Sequence, residues 1–217
     1  MAASSITSED VQIDAGGVPL AGSLAVPPNA IGLVIFAHGS GSSRKSPRNI
    51  AVASMLHEAG CGTLLMDLLT IQESADRRNV FDIDLLGRRV VEVTEWARRL
   101  IDPAVANLPI GYFGASTGAA AALMAAAHLQ DDIKAVVSRG GRPDLAGEAL
   151  PLVKAPTLLL VGSLDENVLE LNREAQRQMR CETKLTIIPG ATHLFEEPGT
   201  LEQAARHAGA WFQTHFK

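Results

Sequence analysis

A pentapeptide of the form G-x-S-x-G, running from Gly114 to Gly118, constrains this chain more than any other stretch. It follows an apolar run over 108–113 and precedes an Ala-rich run over 119–129, which predicts a strand before it and a helix after it. Both glycines lack a Cβ, so the strand and the helix can approach closely. The motif therefore predicts a nucleophile elbow, a tight turn that lifts the Ser116 hydroxyl above a sheet. Taken alone, it is also compatible with an ordinary glycine-rich turn.

Strands and helices alternate along the chain from residue 31 onward. Apolar or β-branched runs predict strands at 31–37, 62–67, 108–113, 133–138, 157–161 and 183–188. Helical spacing and end signals predict helices at 46–59, 81–101, 119–129, 166–179 and 200–216. A hairpin with strands at 11–14 and 18–26, turning at Gly16 and Gly17, precedes them. The alternation predicts a mostly parallel sheet with helices on both faces.

Composition bounds the size of the fold and the classes of partner. A chain of 217 residues fits one α/β domain over 1–217, of which we expect residues 1–10 to be a flexible N-terminus. Hydrophobic residues make up 47% of the chain, which is enough for a sizeable core. The net charge is −5 and no basic stripe is present, which argues against nucleic acid as a partner.

Three further features of the sequence indicate where in the cell the protein is located. The first ten residues lack the charged and apolar regions of a secretory signal, and no apolar run reaches membrane-spanning length. Cys61 and Cys181 do not make a disulfide framework, and Cys61 opens an apolar run in which we expect it to be buried and reduced. The sequence therefore predicts a cytoplasmic protein without a membrane partner, and it leaves the oligomeric state open.

Two polar residues follow predicted strands in positions that suit a catalytic site. Asp165 lies one short loop beyond the strand at 157–161, and His193 lies one short loop beyond the strand at 183–188. In a parallel sheet, reactive groups gather at the carboxyl ends of the strands. Asp165 could instead cap a helix, and His193 could be an ordinary loop histidine. However, the chain order Ser116, Asp165, His193 matches a serine nucleophile, an orienting acid and a base.

A glycine-rich segment after the strand at 31–37 suits the stabilisation of an oxyanion. A turn at residues 38–43 can direct a backbone N–H toward the elbow, where it would act together with the N–H of Thr117. We favour the Ser40 N–H as this second donor, with that of Gly41 as the alternative. His38 is better suited to bracing the loop than to acting as the base.

Four segments together carry a resemblance to a known family. They are FAHGSGSSRKSPRN (36–49), GYFGASTG (111–118), VGSLDENV (161–168) and IIPGATHLFEEPG (187–199). The chain resembles α/β-hydrolases of the dienelactone-hydrolase-like group over most of its length. That resemblance implies an eight-stranded sheet, antiparallel only at its second strand, and acyl hydrolysis without a cofactor. Dienelactone hydrolases use cysteine as the nucleophile, and because Ser116 stands there, we expect a serine hydrolase of small soluble esters, thioesters or lactones.

Some assignments remain open at this level. Asp144 also follows a predicted strand and is an alternative to Asp165 as the acid. Arg139 and Arg142 could clamp an anionic group of the substrate, although an ion pair with Asp144 or with a surface glutamate would also explain them. The stretch from Ser138 to Thr157 is too short for a helical cap, so we expect an open site without a cap domain.

Cofactor and metal sites are not predicted. The glycines near Ser116 do not fit a dinucleotide motif, Arg44 breaks a phosphate-binding loop at 39–46, and the remaining histidines lack metal-ligand spacing. Two other function classes stay open: a non-catalytic module of the same fold that binds a ligand or a protein, and an acyltransferase.

Overall fold

Eight strands form one sheet in the computed structural model, which describes residues 6–100 and 102–217. The strands are β1 (Glu9–Ala15), β2 (Val18–Ala25), β3 (Gly32–Ala37), β4 (Cys61–Met66), β5 (Ile110–Ala115), β6 (Ile133–Arg139), β7 (Thr157–Gly162) and β8 (Thr183–Ile188). Their order is β1-β2-β4-β3-β5-β6-β7-β8. Strand β2 is antiparallel to both of its neighbours, and β3 to β8 are mutually parallel. The predicted sheet and its antiparallel second strand are therefore confirmed.

Helices cover both faces of the sheet. They are α1 (Pro47–Glu58), α2 (Ile71–Ser74), α3 (Arg77–Val80), α4 (Ile83–Arg98), α5 (Pro103–Ala106), α6 (Thr117–Leu129), α7 (Glu166–Gln178) and α8 (Thr200–His215). Side chains alternate across each strand, so Leu33 and Ile35 of β3 join the core that α4 and α6 cover. Val34 and Phe36 join the core under α1 and α8. Only 3₁₀ turns over Pro143–Leu152 lie between β6 and β7, as expected for a fold without a cap domain.

The N-terminal strand is longer than predicted. β1 begins at Glu9, and Glu9 and Asp10 pair with Leu24 and Ser23 of β2. The expectation of a flexible segment through residue 10 is therefore wrong for these two residues, because a charged side chain on an edge strand does not prevent backbone pairing. Residues 1–5 lie outside the described part of the chain.

Three short helices, α2, α3 and α5, were not predicted. Thr70 and Glu73 form a capping box around α2, and the Asp76 side chain accepts from the Arg78 N–H at the start of α3. These helices are too short for a periodic apolar pattern, so only their capping residues could have indicated them. Helix α4, predicted over 81–101, extends from Ile83 to Arg98, and residue 101 lies outside the described part.

The helices and the two cysteines of the described residues agree with the sequence-based expectations for them. No helix among them combines the length and the hydropathy that crossing a bilayer requires. Cys61 is buried in β4 as predicted, and burial raises the pKa of its thiol to about 12. Cys61 and Cys181 are both free thiols.

Candidate active site

Ser116 occupies a strained turn between β5 and α6. Its φ of 50° and ψ of −124° lie in a region that side-chain-bearing residues rarely adopt. The Ser116 N–H donates to the Arg139 carbonyl at 3.3 Å, and the Ser116 carbonyl accepts from the N–H groups of Ala119 and Arg142 at 3.1 and 3.0 Å. These bonds hold the turn against the end of β6 and give the strand, turn and helix that the G-x-S-x-G spacing predicts.

The flanking glycines permit this turn by leaving space for backbone atoms. A Cβ on Gly114 would lie 2.4 Å from the Ala119 Cα, inside van der Waals contact. A Cβ on Gly118 would lie 2.1 Å from the Ala37 carbonyl oxygen. Neither neighbour can move without distorting β3 or α6, so the packing of the elbow requires both glycines.

We expect Gly118→Ala to lower the free energy of unfolding by about 3 kcal/mol or more, because the new methyl group meets backbone rather than a movable side chain. The matched control is Gly62→Ala in β4, where the nearest atom to the new Cβ would lie at 3.4 Å. That variant should change stability by less than about 1 kcal/mol. Urea unfolding of both variants checks the difference, and equal losses would contradict the close approach at the elbow.

Asp165 and His193 form a hydrogen-bonded pair at the ends of β7 and β8. His193 Nδ1 lies 2.7 Å from Asp165 Oδ2, and the Asp165 side chain is largely buried. Asp165 occupies the N-cap position of α7, but its side chain makes no capping bond, so the carboxylate is directed to the imidazole. Asp144 instead binds Arg142, which leaves Asp165 as the carboxylate at His193.

Ser116 and His193 line one cavity of about 220 Å³ at the carboxyl edge of the sheet. Among the described residues, no hydrogen bond joins Ser116 Oγ to the imidazole. Catalytic hydrogen bonds are often long in unliganded enzymes and shorten when substrate binds. The geometry thus brings the predicted nucleophile, base and acid to one place, while proton transfer between Ser116 and His193 stays a prediction.

The loop over 38–43 is attached directly to the elbow. The Ser40 N–H donates to Thr117 Oγ1 at 2.9 Å, so the N–H that was predicted to face an oxyanion has a side-chain partner. Ser40 can serve as a donor to substrate only if it shares or exchanges this bond. Thr117 opens α6, whose N-terminal N–H groups carry partial positive charge.

His38 braces the same loop, as predicted. Its Nδ1 donates to the Gly39 carbonyl at 2.9 Å, so the ring is neutral with Nε2 as an acceptor, and Nε2 accepts from the Leu68 N–H at 3.2 Å. Burial lowers the pKa of His38 below its ordinary value of 6.5. Both ring nitrogens are occupied, so His38 is not placed to act as a base.

Acid is expected to destabilise the protein partly through His38. Because the pKa is lower in the folded state, the unfolded chain takes up the proton first, and stability falls as pH drops below 6.5. The free energy of unfolding, measured by urea at about pH 8 and about pH 5, should fall less in His38→Gln than in the wild type. His57, whose pKa burial also lowers, accounts for part of the remaining loss. An unchanged acid sensitivity in His38→Gln would contradict this account.

A second cavity of about 360 Å³ adjoins the first across residues 39–42. One part of its wall is apolar and comes from Leu68, Leu69, Ile71, Val80 and Leu86, whereas polar residues, among them Asp67 and Ser74, line the rest. The short helices α2 and α3 supply part of this wall, and because neither helix was predicted, the cavity could not be predicted from the sequence. Because Thr117 and Ser40 lie on its border, an apolar part of a substrate could extend there from Ser116.

The two arginines after β6 have different environments. Arg142 makes a bidentate ion pair with Asp144, with its Nε and Nη2 at 2.8 and 2.7 Å from the carboxylate oxygens, and it does not line the cavity at Ser116. The prediction that Arg142 clamps a substrate is therefore not supported, because Arg142 does not line this cavity and two of its nitrogens are bonded to Asp144. Arg139 lines the cavity and is 7% exposed. Its guanidinium lies 6.0 Å from the Phe113 ring centroid and 5.7 Å from that of Phe195.

Comparison with known proteins identifies relatives of the whole chain. The model of the "Dienelactone hydrolase family" matches residues 20–216. A dienelactone hydrolase from Anabaena variabilis shares 50% of the sequence, with a TM-score of 0.94 over 98% of this chain and 99% of that one. Est1E from Butyrivibrio proteoclasticus has the same fold at 21% identity, with a TM-score of 0.79 over 95% and 98% of the two chains.

A longer relative carries a different functional name. A protein of Mycobacterium tuberculosis whose name proposes a phosphoribosyl transferase is 58% identical over 210 residues, which are 97% of this chain. Those residues make up 47% of that protein, so the chain spans about half the length of this curated relative.

Proposed function

Because the chain belongs to the dienelactone hydrolase family, we propose that it is a serine hydrolase that cleaves small carboxylic esters, thioesters or lactones through an acyl-enzyme. The observation that carries the proposal is the 2.7 Å contact between His193 Nδ1 and Asp165 at the cavity that Ser116 lines. A serine hydroxyl is a weak nucleophile at neutral pH, so it needs an oriented base within reach. The hydrogen bond between His193, on the loop after β8, and Asp165 supports His193 as that base.

The proposed reaction assigns one role to each of these three side chains. Ser116 Oγ attacks the ester carbonyl while His193 Nε2 takes its proton, and Asp165 holds Nδ1–H and stabilises the imidazolium. The tetrahedral intermediate collapses to the acyl-enzyme, and the imidazolium gives its proton to the departing alcohol. Water then attacks the acyl group with His193 again as base, and proton return releases the acid and restores Ser116.

The oxyanion of the intermediate needs donors beside Ser116. We assign the Thr117 N–H to this role, since it begins α6 and follows the nucleophile directly. The Ser40 N–H is proposed as the second donor, with the hydroxyl of Thr117 turning away as the substrate carbonyl enters. The hydrogen bond between Ser40 and Thr117 would then hold the loop at the correct distance before substrate binds.

The transferase name of the Mycobacterium tuberculosis relative concerns a protein about twice as long. This chain spans about half of that protein, so the transferase name is not carried over to the function proposed here. We further propose a cytoplasmic protein that acts on a small molecule without a cofactor, and without nucleic acid or membrane as a partner.

Pre-steady-state kinetics with p-nitrophenyl acetate tests the proposal. We expect a burst of one p-nitrophenolate per active site, followed by slower turnover, because acylation and deacylation are separate steps. Added alcohols would speed the second phase if the enzyme were an acyltransferase. Release of p-nitrophenolate no faster than in buffer, across esters of different chain length, would favour a non-catalytic binding module.

A further inference from the structure

We propose that the cavity at Ser116 binds an anionic oxygen group of the substrate, held by Arg139, Arg48 and the N-terminus of α1. The inference rests on the proposed function for its substrate, an ester or related acyl compound. It assigns that substrate a carboxylate or a phosphate on one side of the scissile bond. Arg48 and α1 were not among the predicted site residues.

Arg139 is a buried cation without a counter-ion. Its residue is 7% exposed, and Nε and Nη1 are buried without a hydrogen-bond partner. The contact that Nη2 makes is with a neutral group, the side-chain oxygen of Asn49 at 3.4 Å. Among residues 6–100 and 102–217, no carboxylate pairs with this guanidinium. An unpaired buried charge is costly, so its presence beside a nucleophile indicates a ligand that completes the site.

The position of Arg139 ties it to the chemistry. Its carbonyl accepts a hydrogen bond from the Ser116 N–H at 3.3 Å, so a shift of the backbone at one residue displaces the backbone of the other. Its side chain and that of Ser116 line the same cavity. Phe113 and Phe195 flank the guanidinium and support its charge through their rings, but they supply no anion.

A second set of positive groups faces this cavity from α1. Ser46, Arg48 and Asn49 line it, and Ser46 makes no side-chain cap. The first-turn N–H groups of this helix therefore lack the side-chain acceptor that usually occupies them. Together with the helix dipole, they favour an anion at this end.

The balance of charge around the cavity is positive. Arg48 and Arg139 repel one another, and burial together with Arg48 lowers the pKa of Arg139 to about 10, so it is still protonated at neutral pH. Glu196 pairs with Arg48 Nη1 at 2.9 Å, but its side chain is mostly exposed. A carboxylate or phosphate between the two guanidinium groups would remove their repulsion and supply the missing acceptors.

The apolar part of the neighbouring cavity indicates which group the substrate carries on the other side of the ester bond. That cavity meets the Ser116 cavity along residues 39–42 and is lined by Leu68, Leu69 and Leu86 among others. We therefore infer a substrate with an anionic group on one side of the ester bond and an apolar group on the other. The smaller volume at Arg139, about 220 Å³, limits the anionic side to a short chain.

Two matched pairs of esters test which side carries the charge. In the first, p-nitrophenyl hemisuccinate is compared with p-nitrophenyl 4-methylpentanoate, which replaces the carboxylate by an isopropyl group. In the second, 4-carboxyphenyl acetate is compared with 4-isopropylphenyl acetate. Arg139→Met should lower kcat/KM for the anionic member of one pair by about 100-fold and change the neutral member by less than about 3-fold.

Further variants separate charge recognition from damage to the fold. Arg48→Met, at a half-exposed position, should lower the same kcat/KM by about 10-fold, and it carries the test if Arg139→Met does not fold. Arg177→Met, which removes an exposed arginine of α7, is the control and should leave both members of each pair unchanged. Equal losses on anionic and neutral esters in Arg139→Met and Arg48→Met would overturn the anion site.

A binding measurement distinguishes failure of this inference from failure of the proposed function. Calorimetric titration of Ser116→Ala with monomethyl succinate and with inorganic phosphate requires no turnover. Binding of either probe that is lost in Ser116→Ala/Arg139→Met supports the anion site even if no ester is hydrolysed. The probe that binds more tightly shows whether the site prefers a carboxylate or a phosphate. Ester hydrolysis without charge preference and without probe binding would overturn the anion site and leave the hydrolase standing.

Discussion

Replacing Ser116 by alanine is expected to lower kcat for p-nitrophenyl acetate by about 10⁴-fold or more. The loss follows from removing the one atom that forms the acyl-enzyme, since substrate binding and the N–H donors alone supply only part of the rate enhancement. The variant should fold normally, because Ser116 Oγ makes no hydrogen bond that the structure depends on. Steady-state kinetics with a circular dichroism spectrum checks both statements.

Ser54→Ala is the matched control for this change. Ser54 is exposed on α1 and lies outside the cavity, so its loss should leave kcat within about 2-fold of the wild type. Retention of more than about a tenth of the activity in Ser116→Ala would remove the serine from the mechanism.

Asp165→Asn should lower kcat by about 10⁴-fold, as for other triads in which the acid is replaced by its amide. The amide can donate to His193 Nδ1, which would place the remaining ring proton on Nε2 and prevent this atom from accepting the serine proton. Asp144→Asn provides the matched comparison. It removes an ion pair with Arg142 at the edge of the site, and kcat should stay within about 3-fold of the wild type.

The pair of variants decides between the two carboxylates that follow neighbouring strands. A large loss in Asp144→Asn with little effect in Asp165→Asn would assign the acid to the loop after β6. Large losses in both variants, with unchanged circular dichroism, would show that the Arg142 pair is needed to hold the elbow, since the Arg142 N–H donates to the Ser116 carbonyl.

The sequence predicts the backbone of the site because its signals are local. The spacing around Ser116 encodes a strand, a turn and a helix, and the glycines at 114 and 118 are required by contacts within that unit and with β3. Asp165 and His193 could be found because each follows a strand directly, and parallel strands bring their carboxyl ends to one edge. The pairing of these two residues, 28 positions apart, then follows from topology.

Side-chain partners that are distant in sequence could not be predicted in the same way. The Ser40 N–H binds a hydroxyl 77 positions away, and no local pattern indicates that this donor is occupied. Arg139 and Arg142 look alike in the sequence, yet Arg142 has a partner two residues away while Arg139 is enclosed by side chains from several elements. Burial of this kind depends on how β5, β6 and the loop after β8 meet.

Labelling with a fluorophosphonate probe, followed by mass-spectrometric mapping of the modified residue, tests whether Ser116 is a nucleophile activated by His193. We expect a single adduct on Ser116 in the wild type, and labelling that is at least about 100-fold slower in His193→Ala, because the serine is reactive only with its base in place. An adduct on another residue, or labelling of Ser116 at the same rate in His193→Ala, would contradict this expectation.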